Sequence, residues 1–293
     1  MQNKQRHEEY INACNTAIQD VTARILQQQS VVSEAAGYSL SAGGKRVRGV
    51  FTLAVSDLLG GDRKAAECYS AAIEMVHAFS LIHDDLPCMD DDDLRRGKPS
   101  CHIVYGEANA LLAGDLLALE AFEAVCTTPG ELFAVLGAAQ TLAAASGARG
   151  MIYGQELDMK YETEKADSAA LYQIHTHKTG ALLKASAHLG VWAAKQQPEN
   201  HPAITEYIEK VGVVFQIVDD ILDVTADQAQ LGKPIGSDAQ NHKTTFVTLY
   251  GLEESRKEVG RLTQEAVTAI ESAYGDAAAF MAYFAKQLAE RVY

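Results

Sequence analysis

Residues 210–225, KVGVVFQIVDDILDVT, set the strongest limit on how this chain can fold. Valine, isoleucine, leucine and phenylalanine surround the stretch at helical spacing. A helix that is apolar on nearly every side belongs inside a core. Yet Gln216, Asp219, Asp220 and Asp223 interrupt it at i, i+3, i+4 and i+7, which aligns them as one polar stripe. Carboxylates inside a core are costly unless they are paired or bound to metal. The fold must therefore bring cations to this stripe. A solvated helix face is the alternative, and the apolar flanks oppose it.

The rest of the chain also reads as helix. There are six prolines in 293 residues, and no run alternates β-branched with polar residues. The windows 63–86, 107–126, 131–153, 168–195 and 203–225 follow helical spacing. Punctuation is sparse: Gly60-Gly61-Asp62, Thr128-Pro129-Gly130 and the stretch from Pro198 to Pro202. A polar segment runs over 226–243. No internal repeat and no linker rich in Pro, Gly or Ser divides the chain, so one all-helical domain over 1–293 is expected.

A second acidic cluster lies in LIHDDLPCMDDDDLRRGKPSCH, 81–102. The preceding AAIEMVHAFSLIHDD is an apolar helix that ends at Asp84 and Asp85, with His77 on the same face as Asp84. Pro87 ends or kinks it, and Asp90 to Asp93 follow in the loop. Alone, such a run is often a solvated surface. Paired with Asp219 and its neighbours it reads as functional, since two core helices can face each other across a bundle. Oxygen donors without His or Cys favour hard cations, and Mg²⁺ combines a few carboxylates with waters and substrate phosphates. Arg95, Arg96, Lys178 and Lys233 supply cations for the remaining phosphate oxygens. GGKRVRG, 43–49, suggests a second anion site: Gly43 and Gly44 permit close backbone approach, and Lys45 and Arg48 can point the same way.

Composition excludes several classes of function. A net charge of −14 argues against nucleic acid as a partner. Five dispersed cysteines with no CxxC pair indicate neither zinc nor a disulfide framework, and fit a reducing compartment. No stretch reaches the roughly 18 apolar residues of a membrane helix, so no stable membrane insertion is expected. The polar start, MQNKQRHEEY, makes a cytoplasmic location the expectation.

DDLPCMD (84–90) and DDILD (219–223) resemble the two aspartate-rich motifs of the short-chain trans-prenyltransferases. GGKRVR (43–48), LRRGKPSCH (94–102), GEANALLAGD (106–115), GQELD (154–158), HKTG (177–180) and LGKPIGSD (231–238) match as well, in order. The resemblance covers roughly 40–250 and is closest to the bacterial farnesyl diphosphate synthases. It implies an all-α isoprenoid-synthase bundle around a deep central cavity, a homodimer, and three Mg²⁺ per active site. It implies that Asp84 and Asp90 ligate metal with support from Asp85, and that Asp219 ligates metal with help from Asp220 and Asp223. Arg95, Lys178 and Lys233 would contact an allylic diphosphate. Gly44, Lys45, Arg48, His77 and Arg96 would hold isopentenyl diphosphate. Thr179 and Gln216 would stabilise positive charge beside the reacting carbons. Phe79, with the small Ser80 beside it, would form the floor that limits product length.

The expected reaction is condensation of isopentenyl diphosphate with dimethylallyl and geranyl diphosphate to give (2E,6E)-farnesyl diphosphate. A geranylgeranyl diphosphate synthase shares every one of these motifs. A non-catalytic partner subunit or a terpene cyclase would use the same fold. However, both aspartate motifs are whole, and a cyclase would not need Lys45 and Arg48. The chain departs from the family pattern at Gly49, where proline is usual, and at Phe246-Val247.

Overall fold

The computed structural model describes residues 1–225 and 244–290, apart from the side chains of residues 162 and 163. Lys233, LGKPIGSD and the end of the C-terminal tail lie outside the described residues. Helices dominate: α1 Gln2–Leu26, α2 Val31–Leu40, α3 Val47–Leu58, α4 Arg63–Asp84, α5 Cys101–Tyr105, α6 Glu107–Cys126 and α7 Leu132–Ser146. They continue with α8 Met151–Thr163, α9 Ser168–Ile174, α10 Ala181–Ala193, α11 Pro202–Thr225, α12 Phe246–Tyr250, α13 Leu252–Tyr274 and α14 Ala279–Ala289. The all-α expectation holds, with one small addition. Leu94–Arg95 and Lys98–Pro99 pair as a two-stranded antiparallel hairpin. Its turn residues Arg96 and Gly97 have φ of 54° and 74°, the positive values that tight hairpin turns require. Two residues per strand are too few to show a period of two, so alternation could not reveal it.

Helix boundaries follow the sequence signals where those are strong. Asp62 caps α4 by accepting the Ala65 N–H at 2.9 Å, and α4 ends at Asp84, three residues before Pro87. The window 131–153 corresponds to two helices, broken between Ser146 and Met151. Gly150 lies at the break, and the path of the chain there admits only glycine, because a Cβ would lie 2.0 Å from the Ala145 carbonyl oxygen. The window 168–195 stays helical, but His175–Gly180 widens into a π-helical turn.

The chain falls into two compact units. The amino-terminal unit comprises Glu8–Leu142 and Leu189–Gln196, and the carboxy-terminal unit comprises Met1–His7, Ala143–His188 and Gln197–Tyr293. In the carboxy-terminal unit α11 is a core helix, as its composition demands. Val214, Ile217, Val218 and Ile221 are buried with Phe246, Val259 and Leu262. Each such side chain contributes roughly 1.5–3 kcal/mol on burial, enough in sum to carry a few satisfied carboxylates. Among the described residues no helix is long and apolar enough to cross a membrane.

Candidate active site

In the amino-terminal unit, α4 and the turn after it collect the first carboxylates. The Asp90 N–H donates to the Asp84 carbonyl at 2.8 Å, which folds the loop back onto the helix end. Asp84 and Asp90 are both partly buried. Asp85 is 2% exposed and accepts from Arg95 Nε at 2.7 Å and from Nη2. Arg95 Nη2 also pairs with Asp92 at 3.0 Å. Burial pushes the Asp85 carboxyl up, and the Arg95 bonds oppose that. Burial alone would lower Arg95, but Asp85, Asp92 and Asp84 outweigh it and hold the guanidinium above its ordinary value. Asp85 therefore anchors Arg95 beside the acidic turn.

The same unit gathers the basic groups. Arg96 donates to the Gly43 carbonyl and lies flat against Gly44. Gly44 has φ of 129°, and a Cβ there would meet Arg96 Cζ at 2.9 Å, so only glycine fits. Lys45 is exposed, and Arg48 is 8% exposed. The partly buried His77 is driven well below its ordinary pKa, first by burial and then by the positive charges of Arg48, Arg96, Arg95 and Arg46. Four guanidiniums thus act on one neutral imidazole. Of these, Arg46 is paired with the buried Glu74; Arg48, Arg95 and Arg96 are the cationic groups of this region that suit a multiply charged anion.

Phe79 is 9% exposed and meets His83 edge-to-face, with ring centroids 5.7 Å apart. Ser80 Oγ returns to the His77 carbonyl at 2.9 Å.

The carboxy-terminal unit holds the remaining candidates. Lys178 and the buried Thr179 sit in the π-helical turn. Gly154 lets α8 pack flush against that turn: a Cβ there would lie 2.1 Å from the Lys178 backbone nitrogen. α8 also brings Asp158, whose Oδ2 accepts from Lys178 Nζ at 2.5 Å. On α11, Gln216 and Asp219 are partly buried, while Asp220 and Asp223 are 9% and 3% exposed. Asp220 Oδ2 accepts the Phe246 N–H at 2.7 Å.

Asp158 and Glu74 are not among the residues expected from sequence, and Asp92 is expected only as one member of the acidic run 90–93. Asp158 sits in the matched GQELD stretch, so its carboxylate was visible there. Glu74 carried a signal too, as a lone acid in the apolar AAIEMV run of a core helix.

Among the described residues, no three or more His, Cys, Asp or Glu side chains stand together as a metal cage. The donor set nevertheless fits Mg²⁺, which takes one or two carboxylates and completes its shell with water and substrate phosphates. Asp84 with Asp90, and Asp219, offer oxygen donors of this kind.

Residues 29–283 match the polyprenyl synthetase family. The chain belongs to that family. It is a trans-prenyltransferase. It is 45% identical over 247 residues to geranylgeranyl pyrophosphate synthase 3, chloroplastic, of Arabidopsis thaliana, covering 82% of this chain and 69% of that protein. It is 41% identical over 268 residues to the farnesyl diphosphate synthase of Escherichia coli, covering 89% of each. A geranyltransferase from Helicobacter pylori, solved in complex with magnesium and isoprenyl diphosphate, superposes with a TM-score of 0.85 at 30% identity. That match spans 97% of this chain and 98% of that one.

Proposed function

We propose that this chain is a Mg²⁺-dependent farnesyl diphosphate synthase. It condenses isopentenyl diphosphate head-to-tail with dimethylallyl and then geranyl diphosphate. The observation that carries this reading is the hairpin after α4, where Arg95 is held by Asp85 and Asp92 and Arg96 lies against Gly43 and Gly44, next to the aspartates at the helix end. Anion receptors and oxygen donors for a hard cation in one small region are what a diphosphate substrate needs.

In this reading Lys45, Arg48, His77 and Arg96 hold isopentenyl diphosphate beside Gly44. Arg95 and Lys178, with Lys233 outside the described residues, neutralise the departing allylic diphosphate. Asp84 and Asp90, supported by Asp85, and Asp219, with Asp220 and Asp223, would hold three Mg²⁺ whose charge favours ionisation of the allylic C–O bond. The allylic cation is attacked by the isopentenyl double bond, and a proton leaves to the released diphosphate. Thr179 and Gln216 turn their oxygens toward the developing positive charge. Apolar side chains exclude the water that would quench it. Lys178 and Arg95 stand ready on Asp158 and Asp85, so little side-chain ordering remains when substrate binds.

Phe79 closes the path of the growing chain after fifteen carbons. The second reading is a geranylgeranyl diphosphate synthase, favoured by the Arabidopsis relative and by the same motifs. We further propose a homodimer formed through the exposed apolar side chains Leu111, Leu112 and Leu119 of α6 and Leu132, Phe133 and Leu136 of α7. The reaction class is tested by incubating the protein with isopentenyl and geranyl diphosphate. Release of inorganic diphosphate that needs Mg²⁺ and stops with EDTA supports it. Unchanged isopentenyl diphosphate would leave a cyclase or a binding subunit instead.

A further inference from the structure

The basic run GGKRVRG divides by direction. Lys45 is exposed, but Arg46 is 5% exposed and turns inward. Its Nε donates to Asn15 Oδ1 of α1 at 2.9 Å, and its Nη2 donates to the Leu40 carbonyl at 3.2 Å. Its Nη1 pairs with Glu74 Oε2 of α4 at 3.5 Å, and Glu74 is 3% exposed. Arg46 also has φ of 50° and ψ of 33°, a left-handed backbone that a long side chain seldom adopts. The surroundings must hold it there.

Arg46 is the residue from which α3 departs, and it provides no side-chain cap. The cap comes from another helix. Glu74 Oε1 accepts the Gly49 N–H at 3.0 Å, one of the amides that the first turn of a helix leaves without an internal partner. One carboxylate therefore fixes both sides of the helix start: Arg46 through one oxygen and the first turn of α3 through the other. Residue 49 can donate because it is not proline. It can come this close because glycine has no side chain: Cys14 Sγ occupies the space where one would begin, 2.4 Å from an added Cβ.

We propose that Arg46 and Glu74 are a buried positioning pair that aims Lys45 and Arg48 at isopentenyl diphosphate. Neither touches the substrate. Lys45 precedes the left-handed residue, and Arg48 follows it within the first turn of α3, so the divergence of their two charges is set by the backbone between them. The inference rests on the reading of Lys45 and Arg48 as the isopentenyl diphosphate subsite.

The test compares steady-state constants for both substrates in the full-length enzyme. Glu74→Ala removes both bonds and raises the KM for isopentenyl diphosphate about tenfold or more, with the KM for geranyl diphosphate within about twofold. Glu74→Gln keeps a carbonyl oxygen for Gly49 and restores most of that loss. Asn15→Ala loosens Arg46 without leaving a buried charge unpaired. It raises the same KM by a smaller factor, and stands in if Glu74→Ala does not fold. Equal effects of Glu74→Ala and Glu74→Gln would overturn the inference, because charge and not geometry would then be at work. So would a lower KM for isopentenyl diphosphate, since Arg46 would then be a direct anion ligand held back by Glu74. Lys45→Ala separates the two levels. If it leaves that KM unchanged, the subsite reading falls and takes this inference with it. If it raises that KM while Glu74→Ala and Asn15→Ala do not, the inference alone falls.

Discussion

Asp220 Oδ2 accepts the backbone N–H of Phe246 at 2.7 Å, which ties α11 to the start of α12. Its neighbour Asp219 is more exposed, so two adjacent carboxylates of one motif should have different uses. Asp220→Ala leaves a buried amide without its acceptor and is expected to cost about 1.5–3 kcal/mol of stability in urea denaturation. Asp219→Ala should leave the denaturation midpoint close to that of the wild type. It should lower turnover about a thousandfold, the equivalent of roughly 4 kcal/mol of transition-state charge stabilisation. If both variants lose stability alike and keep turnover, the metal role assigned to Asp219 is wrong.

The two anion subsites should separate kinetically. Lys45→Ala and Arg48→Ala are expected to raise the KM for isopentenyl diphosphate far more than that for geranyl diphosphate. Arg95→Ala should do the reverse. It should also destabilise the fold, because it strands Asp85, which is 2% exposed. Lys45 is exposed, so Lys45→Ala should melt close to the wild type. Equal KM effects on both substrates would mean that the subsites are misassigned.

Part of the layout of these residues was legible in the sequence. The α11 stripe announced itself because Asp219, Asp220 and Asp223 interrupt an otherwise apolar helix, and the α4 cluster because Pro87 ends a helix at two aspartates. The hairpin at Arg95 and Lys98 was not legible, being too short for any period. The inward turn of Arg46 was hidden too. A basic run reads as one patch until the left-handed backbone at Arg46 and the carboxylate of Glu74, 28 residues further on, give its members different directions (74 − 46). The pairing of Lys178 with Asp158 depends on α8 packing onto the π-helical turn at Gly154, a contact between elements that no local pattern encodes.

His175 makes stability depend on acid. It is 7% exposed and stacks on Phe246, and among the described residues its Nδ1 finds no hydrogen-bond partner. Burial lowers its pKa from 6.5 to about 4. The unfolded chain binds this proton more readily, so the contribution is fully present above about pH 6.5. It is lost as pH falls toward 4, by up to roughly 3 kcal/mol. His175→Phe keeps the stacking and removes the titration. Its urea midpoint should therefore fall less between pH 7 and pH 4.5 than that of the wild type. A parallel fall in both proteins would show that His175 is not responsible.

Product length decides between the farnesyl and geranylgeranyl readings, and Phe79 is the residue proposed to set it. The measurement is chromatography of the dephosphorylated products after incubation with Mg²⁺, isopentenyl diphosphate and dimethylallyl diphosphate, for the wild type and for Phe79→Ala. The wild type should yield mainly the fifteen-carbon farnesyl alcohol, and Phe79→Ala should shift the main product to twenty carbons or more. A wild type that already makes mainly the twenty-carbon product would contradict the farnesyl assignment.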